Sequence, residues 1–227
     1  MDDFDILGAH LDAKTIKGQI EEFLKQTYGD LSNAEISRKP NKDGLYIVDW
    51  KSDLLIKNRK IEQLTNGLFE FGEVNGKFNC NSCQNLKTLK GSPKIVYGNF
   101  NCGYCSSLKS LKGGPQKVGG VFDFSACSSL TSLEGAPKQC EEVVSWCMLK
   151  GRDAITFKSL KGCPQAQKIT LDYIKGIKNL KGLPKKGVQE LFLYNMPDLE
   201  SLDGGPAESE CDCHYYNCEK LKSLTVE

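Results

Sequence analysis

Phe78-Asn79-Cys80-Asn81-Ser82-Cys83 and Phe100-Asn101-Cys102-Gly103-Tyr104-Cys105 are two copies of one motif, and they begin 22 residues apart. A Leu-x-x-Leu pair and a Gly-x-Pro turn follow each copy, and a third copy begins at Phe122. A fixed period of roughly 20–29 residues with recurrent apolar positions is typical of a solenoid, in which each coil stacks on the preceding one. The sequence therefore predicts a repeat protein.

Seven regular coils are predicted, each beginning at an apolar residue that opens a short strand. These residues are Phe78, Phe100, Phe122, Val144, Leu171, Leu191 and Cys213. Because side chains alternate along a strand, the first and third residues of each coil are expected to point inward and the second and fourth outward. In the fourth and fifth coils this rule predicts that Trp146 and Tyr173 also point inward. An insertion of about five residues near 150–154 interrupts the period.

The N-terminal segment has a different pattern. Apolar residues at helical spacing predict one amphipathic helix over residues 12–28, with Asp12 as its N-cap and Gly29 as its stop. Turn-forming residues from Pro40 to Gly44 predict a hairpin between Ile36 and the apolar run 45–50. We therefore expect a helix-plus-hairpin cap over residues 1–50, followed by a solenoid of seven to eight coils over residues 51–227.

Charge is unevenly distributed along the chain. The net charge is −4 for residues 1–50, +10 for residues 51–198 and −5 for residues 199–227. The acidic start Met1-Asp2-Asp3 is unlike a secretory signal, and no run of about 18 apolar residues predicts a membrane span. We therefore expect a cytoplasmic protein without membrane contact, whose eleven cysteines are reduced thiols.

Two groups of cysteines have spacings that resemble metal sites. Cys80, Cys83, Cys102 and Cys105 have zinc-like spacing, but the spacing follows from the period, and other coils replace these cysteines with aromatic or aliphatic residues. We interpret them as apolar lining, with zinc as the alternative. The second group combines Cys211, Cys213 and Cys218 with His214, which alternation would place on the opposite side of the strand from Cys211 and Cys213. No metal or other cofactor is predicted.

Catalysis finds little support in the sequence. The two histidines, His10 and His214, have no neighbouring nucleophile and orienting group of the kind that hydrolases need. The Gly113-Gly114 and Gly119-Gly120 pairs are expected to lie in coil turns rather than in a phosphate-binding loop. The protein is therefore predicted not to be an enzyme.

Lysines recur at two positions of the repeat, where stacking would align them into a basic ridge. The ridge consists of Lys87, Lys90, Lys109, Lys112, Lys158, Lys161, Lys178 and Lys181. Such a row can follow the phosphates of a nucleic acid. The row is interrupted at Thr131 and Glu134 and lacks Arg and aromatic stacking partners, so a solvated surface is favoured and nucleic-acid binding is the alternative.

The outward positions of the strands change character along the chain. Early coils place small polar groups there, whereas the last coils are predicted to expose a cluster of large side chains. This cluster consists of Ile174, Phe192, Tyr194, His214 and Tyr216. Exposed aromatic residues on a rigid sheet are typical anchors of protein interfaces. The sequence therefore predicts a protein-binding patch.

The strand motif resembles the leucine-rich repeat, with Phe100-x-Cys102-x-x-Cys105 in place of its strand core. The segments Leu108–Gly120 and Leu130–Pro137 resemble short repeats of the "LTSLEGAP…V-G-F-C" type, which recur in proteins of tailed bacteriophages and some bacteria. The resemblance covers about residues 36–224 and is weakest in the later coils. It implies an α/β repeat fold, a leucine-rich-repeat-like solenoid with a parallel β-sheet.

Together these features predict a non-catalytic scaffold for a protein partner. If the resemblance to phage proteins holds, the partner is expected to be a bacterial host factor, with a virion component or a nucleic acid as the alternative. The sequence stops at Leu221–Glu227 before another Gly-x-Pro turn, so an uncapped last coil is also expected to allow self-association.

Overall fold

Residues 12–145, 154–207 and 210–222 are described by a computed structural model. The predicted N-terminal helix is present as α1, Ala13–Thr27. Its N-cap is Asp12, whose carboxylate accepts a hydrogen bond from the Thr15 backbone N–H at 2.8 Å. Ile20 and Leu24 are fully buried on one face of this helix.

The predicted hairpin is also present. Strands β1 (Ala34–Ile36) and β2 (Tyr46–Trp50) pair antiparallel, and Asn41 organises the turn between them by accepting the N–H groups of Asp43 and Leu45. Strand β2 has a second neighbour, because it also pairs parallel with β4 (Phe69–Val74). The hairpin therefore continues directly into a sheet of the solenoid.

From β2 to β9 the strands alternate between two sheets, so each early coil supplies one strand to each. The eight-stranded sheet contains, in spatial order, β3 (Leu54–Leu55), β5 (Phe78–Asn79), β7 (Phe100–Asn101), β9 (Val121–Asp123), β10 (Glu142–Ser145), β12 (Lys168–Asp172), β14 (Glu190–Tyr194) and β15 (Asp212–Tyr216). The five-stranded sheet contains β1, β2, β4, β6 (Ile95–Val96) and β8 (Lys117–Val118). A small third sheet pairs β11 (Ile155–Thr156) with β13 (Ile174–Lys175).

Consecutive strands of the eight-stranded sheet run parallel and in register. Phe78 is opposite Phe100, and Phe100 is opposite Phe122, which confirms the 22-residue period in this part of the chain. The described chain is thus a parallel β-solenoid of about seven coils with one helix at its N-terminal end. The core runs along the axis between the sheets.

Phenylalanine rings form a continuous stack through the core. The rings of Phe78 and Phe100 lie 5.2 Å apart, and those of Phe100 and Phe122 lie 5.8 Å apart, in nearly parallel orientation. The stack continues through Phe124 to Phe157, whose rings are 6.3 Å apart. Each fully buried ring contributes about 1.5–3 kcal/mol by leaving water, so the coils stabilise one another.

From the coil that begins at Phe78 onward, the fifth residue of the motif adopts the left-handed backbone conformation in each coil where it is described. These residues, with φ between 51° and 59°, are Ser82, Tyr104, Ala126, Tyr173, Asn195 and Asn217. A left-handed residue rotates the chain, so the sixth residue points inward although simple alternation would place it outward. Cys83, Cys105 and Cys127 are buried for this reason.

The register of the fourth and fifth coils differs from the prediction. Val143 and not Val144 is opposite Phe122, and Ser145, predicted to face outward, is buried. Ile169 is opposite Leu191, so the fifth coil begins two residues before Leu171. Trp146 lies outside the described residues, so its predicted inward orientation stays untested.

The fifth-coil shift also changes the position of one residue whose orientation was predicted. Tyr173, predicted to point inward, is the left-handed fifth residue and is half-buried. Val143 and Ile169 are opposite each other, which places 26 residues between the starts of the fourth and fifth coils. The predicted insertion near 150–154 falls in this interval, and residues 150–153 lie outside the described residues.

Candidate functional site

Four of the five predicted patch residues lie side by side on β14 and β15. Phe192 is opposite His214 and Tyr194 is opposite Tyr216, because the two strands pair in register. All four occupy second and fourth positions of their coils, and these point away from the core. We call Phe192, Tyr194, His214 and Tyr216 the aromatic face.

Ile174 does not belong to this surface, and its predicted exposure is wrong. Its side chain is fully buried in the core. It is the sixth residue of its coil and follows the left-handed Tyr173, so it occupies the inward position that Cys83 and Cys105 occupy in earlier coils. The predicted patch therefore reduces to the aromatic face.

Three rings of the aromatic face, those of Phe192, Tyr194 and His214, pack against one another. Phe192 and His214 are stacked with ring centres 4.8 Å apart and planes 8° apart. Phe192 also contacts Tyr194 at 5.9 Å between ring centres. Exposure increases toward the end of the sheet, and Tyr216 is 72% exposed. These contacts hold the rings of Phe192, Tyr194 and His214 in fixed positions, so these three side chains have little conformational entropy left to lose on binding.

In each of these strands the residue directly before the first inward-pointing residue is charged. These charged side chains border the aromatic face. Lys168 places its ammonium group 5.0 Å from the centre of the Phe192 ring. The same ammonium lies 3.8 Å from a Glu142 carboxylate oxygen and 3.6 Å from one of Glu190. On the next strand, His214 Nε2 lies 3.1 Å from a carboxylate oxygen of Asp212. The border is mainly acidic.

An asparagine ladder supports the same strands from beside the aromatic face. Asn195 donates to the Asp172 carboxylate at 2.8 Å, and Asn217 donates to the Asn195 side-chain oxygen at 2.7 Å. Asparagine adopts the left-handed conformation more readily than most residues, which suits it to the fifth position. The ladder joins three consecutive coils and fixes the spacing of the strands that carry the rings.

The cysteines of the early coils have a structural role that the zinc-like spacing did not suggest. Cys105 donates its thiol hydrogen to the Cys80 carbonyl at 3.2 Å, and Cys127 donates to the Cys102 carbonyl at 3.1 Å. The Gly103 N–H, which could otherwise bond the Cys80 carbonyl, donates to the Asn101 side chain. The thiol at the sixth position therefore donates a hydrogen bond to a carbonyl that receives none from the backbone of the neighbouring strand.

Burial makes two of the interior thiols, Cys83 and Cys140, poorly suited to reaction. Burial raises the pKa of the Cys83 thiol to about 11 and that of the Cys140 thiol to about 12. A raised pKa keeps a cysteine as the neutral thiol, which is neither a good nucleophile nor a metal ligand. None of the ten cysteines within the described ranges forms a disulfide bond.

The second metal-like group is divided in space as predicted. Cys211 is buried, Cys213 and Cys218 are half-buried, and His214 is exposed on the aromatic face. Across the described part of the chain, no three His, Cys, Asp or Glu side chains are placed so that they could hold a metal ion.

The predicted ridge lysines are exposed, and several of them form ion pairs with acidic residues on neighbouring coils. Lys87 pairs with Glu62 at 2.8 Å, and Lys112 pairs with Glu134 at 3.1 Å. Lys178 pairs with Glu200 at 3.2 Å in the same way. Each such pair removes net positive charge from the ridge.

None of the helices formed by the described residues has the length and apolar character that a membrane span requires. Comparison of the chain with protein families, curated proteins and solved structures finds no match.

Proposed function

We propose that the protein is a non-catalytic scaffold that binds another protein through the aromatic face. The observation that carries this proposal is the row of packed, outward-facing rings on β14 and β15, with Tyr216 72% exposed. Aromatic side chains held rigidly on a sheet bury a large area at a low entropic cost, and they dominate the binding energy of many interfaces.

The sequence resemblance supports a narrower form of this proposal. The repeats at Leu108–Gly120 and Leu130–Pro137 are similar to leucine-rich-repeat-like proteins of tailed bacteriophages. On that basis the partner is a bacterial host protein, bound stoichiometrically in the host cytoplasm. A virion component is the second partner that the resemblance allows.

The lysine ridge gives weaker support to nucleic-acid binding. Its ion pairs with Glu62, Glu134 and Glu200 reduce the positive charge that phosphates would meet. Ridge side chains such as Lys109 and Lys161 remain exposed. Binding of a single-stranded or duplex oligonucleotide that weakens steeply with added salt would favour this alternative.

The test is an affinity capture from bacterial lysate with the wild-type protein and the Tyr194→Ala/Tyr216→Ala double variant. We expect one partner to be captured in stoichiometric amount by the wild type and to be depleted at least tenfold with the variant, because hot-spot rings each contribute about 2 kcal/mol or more. Thermal unfolding of both proteins provides the control for folding. Equal capture by two equally folded proteins would refute the proposal.

A matched surface control is available on another part of the solenoid. Tyr97 is 51% exposed and follows β6 in the five-stranded sheet, where its hydroxyl lies 3.0 Å from a Glu73 carboxylate oxygen. A Tyr97→Ala variant removes a ring of similar exposure from a different surface. It is expected to capture the partner as well as the wild type does.

A further inference from the structure

The aromatic face already holds one positive charge, supplied by the chain itself. The Lys168 ammonium lies over the Phe192 ring and between the carboxylates of Glu142 and Glu190. An aromatic ring attracts a cation through its electron-rich face, and adjacent carboxylates add Coulomb attraction. The first residues of these strands are therefore arranged to hold a cation against an aromatic ring.

The same arrangement continues on the following strands, but without a lysine. Lys168 is opposite Glu190, and Glu190 is opposite Asp212, while Phe192 is opposite His214. The position that carries the cation on β12 thus carries a carboxylate on β14 and on β15. The Glu190 side chain is 48% exposed and the Asp212 side chain is 71% exposed. Rings and carboxylates here face the solvent together.

We infer that the partner docks on the aromatic face with cationic side chains, arginine above all, and this inference rests on the proposed function. A guanidinium is planar, so one arginine of the partner can stack on the Tyr216 ring, and a second arginine can donate hydrogen bonds to the Asp212 carboxylate four residues away along the strand. The ring and the carboxylate lie on the same strand, β15, and both are exposed. The face selects a basic protein surface.

The charge of the surrounding chain agrees with this selection. Residues 199–227 carry a net charge of −5, and the net positive charge of the chain lies in residues 51–198. A phosphate-rich or acidic partner would be repelled at this end of the solenoid, whereas a basic partner would be attracted over about one Debye length, roughly 8–10 Å at physiological salt.

The experiment uses short peptides of defined charge as probes. Amidated tetra-arginine, tetra-lysine and tetra-glutamate are titrated into the full-length, isotope-labelled protein, and amide chemical shifts are followed by NMR. We expect tetra-arginine to shift amides of β14 and β15 and to bind at least twofold more tightly than tetra-lysine, which cannot stack as a plane. Raising the salt from 50 to 300 mM is expected to weaken this binding severalfold, and tetra-glutamate is expected to leave these amides unshifted.

Variants separate stacking from simple charge attraction. Tyr216→Leu keeps an apolar side chain but removes the ring, and it is expected to weaken tetra-arginine binding roughly two- to fivefold. Tyr216→Phe keeps the ring and is expected to bind like the wild type. Asp212→Asn is expected to weaken binding by a similar two- to fivefold, whereas the control Tyr97→Leu is expected to have no effect.

Several results would overturn the inference. It fails if tetra-glutamate binds as well as tetra-arginine, if the shifts map outside β14 and β15, or if Tyr216→Leu and Asp212→Asn bind like the wild type. If the Tyr194/Tyr216 variant loses its captured partner but tetra-arginine does not bind, the inference alone is wrong. If tetra-arginine binds as expected but capture does not depend on these tyrosines, the proposed function is wrong.

Discussion

At the scale of single residues, the thiols and amides of the motif complete the hydrogen bonding of the sheet. Asn101 accepts the Gly103 N–H, and the Cys80 carbonyl that this leaves open accepts the Cys105 thiol from the next coil. A buried carbonyl without a donor costs more free energy than a made hydrogen bond returns, so this small contact is worth preserving. Interior cysteine here is both an apolar filler and a donor.

This role predicts a difference between two variants of nearly identical shape. Cys105→Thr retains a hydrogen-bond donor, whereas Cys105→Val does not. We expect the valine variant to have a free energy of unfolding about 1–2 kcal/mol lower than that of the threonine variant, because the Cys80 carbonyl is left unpaired. Urea unfolding followed by circular dichroism measures both. Equal midpoints for the two variants would show that the thiol acts through its volume alone.

At the scale of elements, the coil turns depend on glycine for two separate reasons. Gly113 has a φ of 83°, a conformation that side chains disfavour. A Cβ atom at this position would also lie 2.7 Å from the Lys90 Cα of the preceding coil. Stacked coils therefore approach each other through backbone atoms at this turn.

The hairpin supplies a control that separates conformation from contact. Gly44 has a φ of 77°, but a Cβ added there would meet no atom within 4 Å. We expect Gly44→Ala to lower the free energy of unfolding by roughly 1 kcal/mol and Gly113→Ala to lower it by roughly 2–4 kcal/mol. Chemical denaturation of the two variants provides the comparison. Similar losses would mean that the coils can move apart at this turn without cost.

The sequence predicted the helix from its apolar spacing and the hairpin from its turn residues. It also predicted the first three regular coils, because Phe78, Phe100 and Phe122 recur without interruption. It misplaced the fifth coil because Ile169 and Leu171 are both apolar, and a shift of two residues keeps the same face inward. The left-handed turn at Tyr173 then made Ile174 appear exposed. In the regular coils, eight residues separate the strand start from the first Leu. Counting eight residues back from Ile177 identifies Ile169 as the start of the fifth coil.

The five-stranded sheet was missed for a different reason. Its later strands, β6 and β8, contain only two residues each, and period-two alternation cannot be recognised over so short a length. The outward positions predicted for four of the patch residues agree with the strand register, and their role in binding stays a prediction. Their stacking geometry and the Lys168 contact depend on strand register, which composition does not determine.

At the scale of the whole molecule, the solenoid is a series of coils that each contact mainly their neighbours. Strand β10 has a neighbour on both sides, whereas β15 lies at one end of the eight-stranded sheet. The side chains of β15 are correspondingly exposed, and Tyr215, at an inward position of its coil, is 50% exposed. Stability is expected to decline toward β15, because β15 pairs with only one other strand among the described residues.

Hydrogen exchange should show this gradient. We expect the backbone amides of β15 to exchange fastest among the strands of the eight-stranded sheet and those of β9 and β10 to exchange slowest. Mass spectrometry of peptides from each coil, recorded at one pH and temperature, measures the rates. Uniform exchange along the sheet would indicate that the solenoid opens as one cooperative unit and would contradict this expectation.

The in-register pairing of identical positions restricts how such a gene product can change in size. When a complete motif is deleted or duplicated, Phe still lies opposite Phe and each glycine turn still lies beside another glycine turn. The neighbouring coils therefore contact an unchanged surface. Shorter gains must be accommodated outside the strands, as in the interval between Val143 and Ile169. The length of the solenoid therefore changes in steps of one motif. The distance between its first and last coils can increase by such steps without any change in the sequences of those coils.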